Sequence, residues 1–184
     1  MENWTKTLLH SYRFLQNLAT TIDEKVKQIT LGSMVYNSKS TNDTMSQFDM
    51  VIELNERKKN IINLKVVTEK CVSMLKQKEL EVITLYYFDG LDVSDICDTL
   101  EISIRTFYRR KEMAIGRISE FLYKNYRKNY FLDNFGKETW LVDLYQYYLK
   151  KSKIRRISEE GMEDGALNGR EIFRALKEIR KIAV

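Results

Sequence analysis

An all-α fold is what this 184-residue chain predicts, and three observations carry that expectation. Proline is absent and glycine occurs only seven times, too little punctuation for many strands and tight turns. Lys, Glu, Leu and Ile are plentiful. Apolar residues recur at three- and four-residue steps along most of the chain, the mark of amphipathic helices. With 43% apolar residues there is material for one good core or two small ones.

The pattern divides the chain into three regions. Residues 1–75 read as a helical hairpin. Its first helix spans residues 4–30, with Leu8, Leu9, Tyr12, Leu15, Leu18, Ala19, Ile22 and Val26 on one stripe. Residues 32–44 are rich in Gly, Ser, Asn and Thr and predict a loop. The second helix spans Ser46 to Ser73, with Phe48, Val51, Ile52, Leu54, Ile61, Ile62, Leu64 and Val67 as its stripe. Two stripes of this length leave two uses open, packing within the chain and homo-oligomerisation.

Residues 76–124 read as a DNA-binding helix-turn-helix. A helix over 76–89 presents Leu80, Val82, Ile83, Tyr86 and Tyr87 inward, and Asp89-Gly90 ends it, with glycine free to turn left-handed. An acidic helix then runs from Asp92 to Leu100. Asp92 is its N-cap, with a carboxylate placed to accept from the Asp95 N–H, and Asp95 stands at the capping-box position. Asp92, Asp95 and Asp98 at three-residue steps fit capping and solvation better than a metal site. Val93, Ile96 and Leu100 face inward, and the small Cys97 lets the two helices cross closely.

Ile102 anchors the turn and Ser103 caps a second, basic helix. Phe107, Ala114, Ile115, Ile118 and Leu122 tie that helix to the core. Helical phase leaves Ser103, Ile104, Arg105, Thr106, Tyr108 and Arg109 outward near its N-terminal end. In this motif the second helix lies in the major groove and its first turns reach base edges. Arg105 and Arg109 suit guanine O6/N7, and Ile104 or Thr106 a thymine methyl. Tyr108, Arg110, Lys111 and Arg117 suit phosphates, which position without specifying. The helical pattern continues over residues 117–131.

Residues 125–184 form an aromatic-rich, basic helical extension. Phe131, Phe135, Trp140, Tyr145, Tyr147 and Tyr148 read as core residues of a helix. Lys150, Lys151, Lys153, Arg155 and Arg156 follow, and such a mixture also suits nucleic acid. Residues 158–169 are acidic and glycine-bearing and predict a loop; a last helix over 170–182 carries Ile172, Phe173, Leu176, Ile179 and Ile182.

Charge supports this division. Net charge is +5, yet residues 105–156 alone hold 14 Lys/Arg against 5 Asp/Glu. A localised basic half points to a polyanion partner. The function classes that composition disfavours are equally informative. Cys71 and Cys97 make neither a disulfide framework nor a zinc site. The start carries no secretory pattern, and no apolar run is long enough for a membrane helix, so a cytoplasmic protein without membrane contact is expected. His10 is the sole histidine and sits on an amphipathic helix, where a structural or surface role is expected. Gly161, Gly165 and Gly169 lack the lysine of a phosphate loop, and Glu159, Glu160, Glu163 and Asp164 read as a solvated acidic loop. Neither an enzyme nor a cofactor or metal site is expected.

The run from Leu75 through Arg110 to Ala114 resembles sigma-factor region 4, the reader of the promoter −35 element. The likeness rests on a helix ending Tyr87-Phe88-Asp89-Gly90, on Ile96-Cys97 in the first helix, on Ile102-Ser103 opening the second, and on Ala114. Two positions depart from it: Glu101, where the family usually has glycine, and Lys111, where it is often apolar. In overall architecture the chain is similar to phage-encoded regulators of the ArpU/RinA type. The resemblance implies a transcription regulator that reads double-stranded DNA. It also implies contact with RNA polymerase, which sigma region 4 makes through the flap. A small-terminase-like packaging protein or a recombination accessory factor would use the same module. A sigma factor proper would need the promoter-melting region 2, which residues 1–75 do not display.

Overall fold

The computed structural model describes residues 1–35 and 41–159, with side chains described over 1–31 and 45–152. The described residues are helical and contain no strand. In chain order the helices are α1 (Glu2–Val35), α2 (Thr41–Ser73), α3 (Gln77–Ile83), α4 (Val93–Thr99), α5 (Ile104–Asn125), α6 (Tyr130–Phe135) and α7 (Thr139–Glu159). A π-helical stretch, Thr84–Asp89, continues α3.

The N-terminal hairpin is present and longer than its sequence pattern predicts. Residues 32–35 and 41–44 are helical where a loop was expected; residues 36–40 lie outside the described residues. Gly, Ser, Asn and Thr each cost a helix at most about 1 kcal/mol, a penalty that helices already anchored by tertiary packing can carry over a few residues. Leu8, Leu15, Ala19 and Ile22 of α1 are buried, as are Leu54, Ile61 and Leu64 of α2. Polar ties lock the register: Lys58 Nζ lies 2.6 Å from Asp23, Lys65 donates to Gln16 at 2.8 Å, and Tyr12 donates to Glu69 at 2.7 Å. Phe48, Ile52 and Ile62, expected inward, are exposed. Among the described residues, α1 and its neighbours cover only one side of α2, so its apolar residues divide between two faces.

One hydrophobic cluster runs through all three sequence regions. It joins Trp4, Leu8 and Leu9 of α1, Leu64 and Val72 of α2, Ala114, Ile115, Ile118 and Leu122 of α5, and Phe131, Phe135, Trp140 and Leu141 beyond. Of the aromatic residues expected in the core, Phe131, Phe135, Trp140 and Tyr148 are buried and Tyr145 packs against the cluster, whereas Tyr147 is only half-buried. Trp4 stacks between Phe131, at 5.0 Å, and Tyr145, at 4.1 Å. Buried Glu138 accepts from Trp140 Nε1 at 3.1 Å and pairs with Arg57 Nη2 at 3.2 Å, which ties α2 to the start of α7.

Two helix boundaries differ from expectation. α5 stops at Asn125, where Tyr126 turns extended (φ −129, ψ 139), instead of continuing to 131. The aromatic segment is two helices, α6 and α7, rather than one. The break returns Phe131 to Trp4 and sets Phe135 on Phe131, which a straight continuation of α5 would carry away. α7 extends to Glu159, past the start of the predicted acidic loop; the rest of that loop and the helix predicted over 170–182 fall outside the described residues.

Candidate nucleic-acid interface

A second, smaller cluster builds the helix-turn-helix. Val82, Ile96, Cys97 and Phe107 are buried together, with Leu85, Val93, Leu100 and Ile102 packed against them. Phe107 and Ile96 are each 0% exposed, so α3, α4 and α5 meet at fixed angles. Gly90 takes φ 75 at the end of the π-helical stretch, as the sequence predicts, and its N–H donates to the Leu85 carbonyl. The Arg13 guanidinium of α1 lies over Gly90, in the space a Cβ would need.

The caps of the two helices differ. Asp92 is the extended N-cap residue of α4, but its carboxylate makes no capping hydrogen bond; the expected bond from the Asp95 N–H is not formed. Asp92 and Asp95 are exposed and stay solvated, where they still complement the positive end of α4. Ser103 does cap α5: its Oγ accepts from the Thr106 N–H at 3.2 Å and lies 2.9 Å from Thr106 Oγ1. Between them the turn closes through Ile102 N–H to the Cys97 carbonyl, 3.0 Å. Glu101 sits at φ 50, the left-handed conformation expected at this position. A side chain there costs on the order of 1 kcal/mol relative to glycine.

The predicted contact residues share the outer side of α5. Ser103, Ile104, Arg105, Tyr108 and Arg109 are exposed, and Thr106 and Arg110 are half-buried. Ile104 is 59% exposed, high for a β-branched apolar residue. Lys111 and Arg117 have intramolecular attachments that sequence reasoning missed. The Lys111 ammonium stands over three rings, 4.9 Å from Tyr86, 5.5 Å from Phe107 and 4.7 Å from Tyr108. Lys111 thus meets these rings at a position where region 4 often has an apolar residue. Arg117 Nε lies 3.4 Å from Glu79 Oε1, and the Glu79 side chain is 4% exposed. No sequence signal marks this α3–α5 ion pair, because 38 residues separate its partners.

Behind the motif, α1, the π-helical stretch and α7 meet at His10. Its ring packs edge-on to Tyr87 at 4.6 Å and stacks on Tyr148 at 5.4 Å. Burial, followed by Arg13, Lys111, Lys151 and Lys6, lowers its pKa to about 3, so the imidazole is neutral. The four cations come from three helices, and all but Lys111 lie outside the motif, so positive charge converges behind it. Burial likewise pushes the Cys71 thiol up to about 12. Among the described residues, no three His, Cys, Asp or Glu side chains are placed to hold a metal ion. No described helix is long and apolar enough to cross a membrane.

Comparison with known proteins agrees with this geometry. Residues 65–118 match the family described as sigma-70, region 4. The chain carries a helix-turn-helix of the sigma-70 region 4 type. This region 4 module takes in the end of α2, α3, the π-helical stretch, α4 and α5 as far as Ile118. The chain is also similar to the transcriptional activator rinA of Staphylococcus phage phi11, with 33% identity over 66 residues, 36% of this chain and 47% of that protein. It thus spans about half the length of that curated relative. No solved structure matches the chain.

Proposed function

We propose that this protein is a transcription regulator of phage type that binds double-stranded DNA in a sequence-specific way. The observation that carries the reading is the first two turns of α5. They are capped by Ser103, anchored from behind by Phe107, and present Ile104, Arg105, Tyr108 and Arg109 to solvent. In this reading Ser103, Ile104, Arg105, Thr106 and Arg109 meet base edges in the major groove. Tyr108, Arg110 and Lys111 hold phosphates beside them. Arg117 adds positive charge while holding Glu79. The match to region 4 supports a promoter element as the target and RNA polymerase as a second partner. The similarity to a phage transcriptional activator favours activation.

Selection from a random double-stranded library, followed by titration of the winner and a scrambled duplex at two salt concentrations, tests this. An enriched motif held about 10³-fold or more over the scramble is expected. Weak binding without a motif, falling steeply with salt, would reduce the module to a non-specific clamp. No binding at all would overturn the proposal.

A further inference from the structure

The outer face of α2 carries a second apolar seam. Met45, Phe48, Ile52, Ile62 and Val66 are 64%, 61%, 44%, 44% and 54% exposed. With Asn55 and Lys59 they follow an unbroken alternation of three- and four-residue steps, the spacing of coiled-coil core positions. They lie opposite Leu54, Ile61 and Leu64, which face the chain's own core. Single exposed apolar residues are ordinary, but a seam of heptad spacing is the signature of a helix that pairs.

The seam and its flanking charges are self-complementary in one orientation. Residues 45–56 hold Asp49, Glu53 and Glu56 and no basic residue; of the five Lys/Arg in residues 57–73, Arg57, Lys58 and Lys65 are tied within the chain to Glu138, Asp23 and Gln16, which leaves Lys59 and Lys70 for the open face, while Glu69 holds Tyr12. A parallel pair would set like charges side by side. An antiparallel pair centred near residue 57 sets acidic half against basic half at both ends. The same centre places Phe48 against Val66, Ile52 against Ile62, and Asn55 against Lys59, because each pair is symmetric about it. The two polar pairs that the two-fold axis places in mid-seam cost stability and fix register.

We infer that the occupant of this seam is a second copy of the chain, with the two α2 helices antiparallel about a two-fold axis. The inference is independent of the DNA-binding reading. In the dimer Ile52 faces Ile62 of the partner subunit, whereas the two Ile52 residues stand about 15 Å apart along the axis. That separation is beyond the roughly 7 Å Cα spacing a disulfide spans.

The test uses the full-length protein. Light scattering across a concentration series should give twice the 21.9 kDa chain mass. The paired substitution Ile52→Asp and Ile62→Asp should return the mass to one chain with helix content unchanged, since both side chains are already exposed. Under mild oxidation, a mixture of Ile52→Cys chains and Ile62→Cys chains should cross-link, and neither should cross-link alone. A single-chain mass at every concentration would overturn the inference, and so would occupation of the seam by residues 160–184, seen as deletion of that segment creating the dimer. Cross-linking by Ile52→Cys alone would overturn the antiparallel arrangement.

Discussion

The two halves of α5 do different work, and their basic residues differ accordingly. In the first half Arg105 and Arg109 are exposed, on a helix held by Phe107 and capped by Ser103. In the second half Ala114, Ile115, Ile118 and Leu122 are buried in the main core, and Arg117 is tied to buried Glu79. Lys111, at the junction, stands over Tyr86, Phe107 and Tyr108. One helix therefore serves as a surface at one end and a strut at the other. Counting its Lys and Arg together overstates the charge free to meet a polyanion.

The largest effect should come from the residue that anchors the first half. Phe107→Ala empties the smaller core and should lower stability by about 3–5 kcal/mol, read from urea unfolding. A loss below about 1 kcal/mol would mean that the helix-turn-helix is not packed as described. Arg117→Ala should come next. It leaves the buried Glu79 carboxylate without its cation, and with Arg117 itself partly solvated the loss should be about 2 kcal/mol. Adding Glu79→Gln should recover much of that loss, and an additive double variant would show that the pair is not coupled.

A third prediction concerns His10. Its folded pKa, about 3, lies below the ordinary value of 6.5, so the unfolded chain takes up the proton first. Stability from this group is complete above pH 6.5 and is lost progressively as pH falls toward 3. Between about pH 7 and about pH 5 the wild type should lose roughly 2 kcal/mol more than His10→Phe, which keeps a ring between Tyr87 and Tyr148. Parallel pH profiles would contradict the neutral, buried imidazole. The smallest effect should be a gain: Glu101→Gly relieves the φ 50 turn and should raise the melting temperature by a few degrees, with a stability gain of about 0.5–1 kcal/mol. An unchanged or lower melting temperature would show that the turn bears no strain.

Local features were legible in the sequence and long-range ones were not. The Ser103 cap, the glycine turn at Gly90, the buried face of α5 and the turn at Glu101 all follow from residues close together in the chain. So does the resemblance to region 4, which residues 65–118 bear out. The Glu79–Arg117 pair, the aromatic seat of Lys111 and the meeting of Lys6, Arg13 and Lys151 around His10 depend on helices far apart in sequence. Periodicity also predicted one stripe for α2 where there are two faces. Phe48, Ile52 and Ile62 satisfy helical spacing, and spacing alone does not say which neighbour covers a face. The Asp92 carboxylate shows the converse limit: a side chain of the right type at the right position stays in water because it is exposed.

The division of α5 is tested most directly by measuring DNA affinity and thermal stability together for Arg105→Ala, Arg109→Ala and Arg117→Ala, on a duplex recovered by selection. Arg105→Ala and Arg109→Ala should each weaken binding to that duplex by roughly 1–3 kcal/mol and relax its sequence preference, while stability stays within about 0.5 kcal/mol of wild type. Arg117→Ala should lower stability and leave base preference unchanged. If the first two variants bind the selected duplex as the wild type does, the exposed half of α5 is not the reading surface.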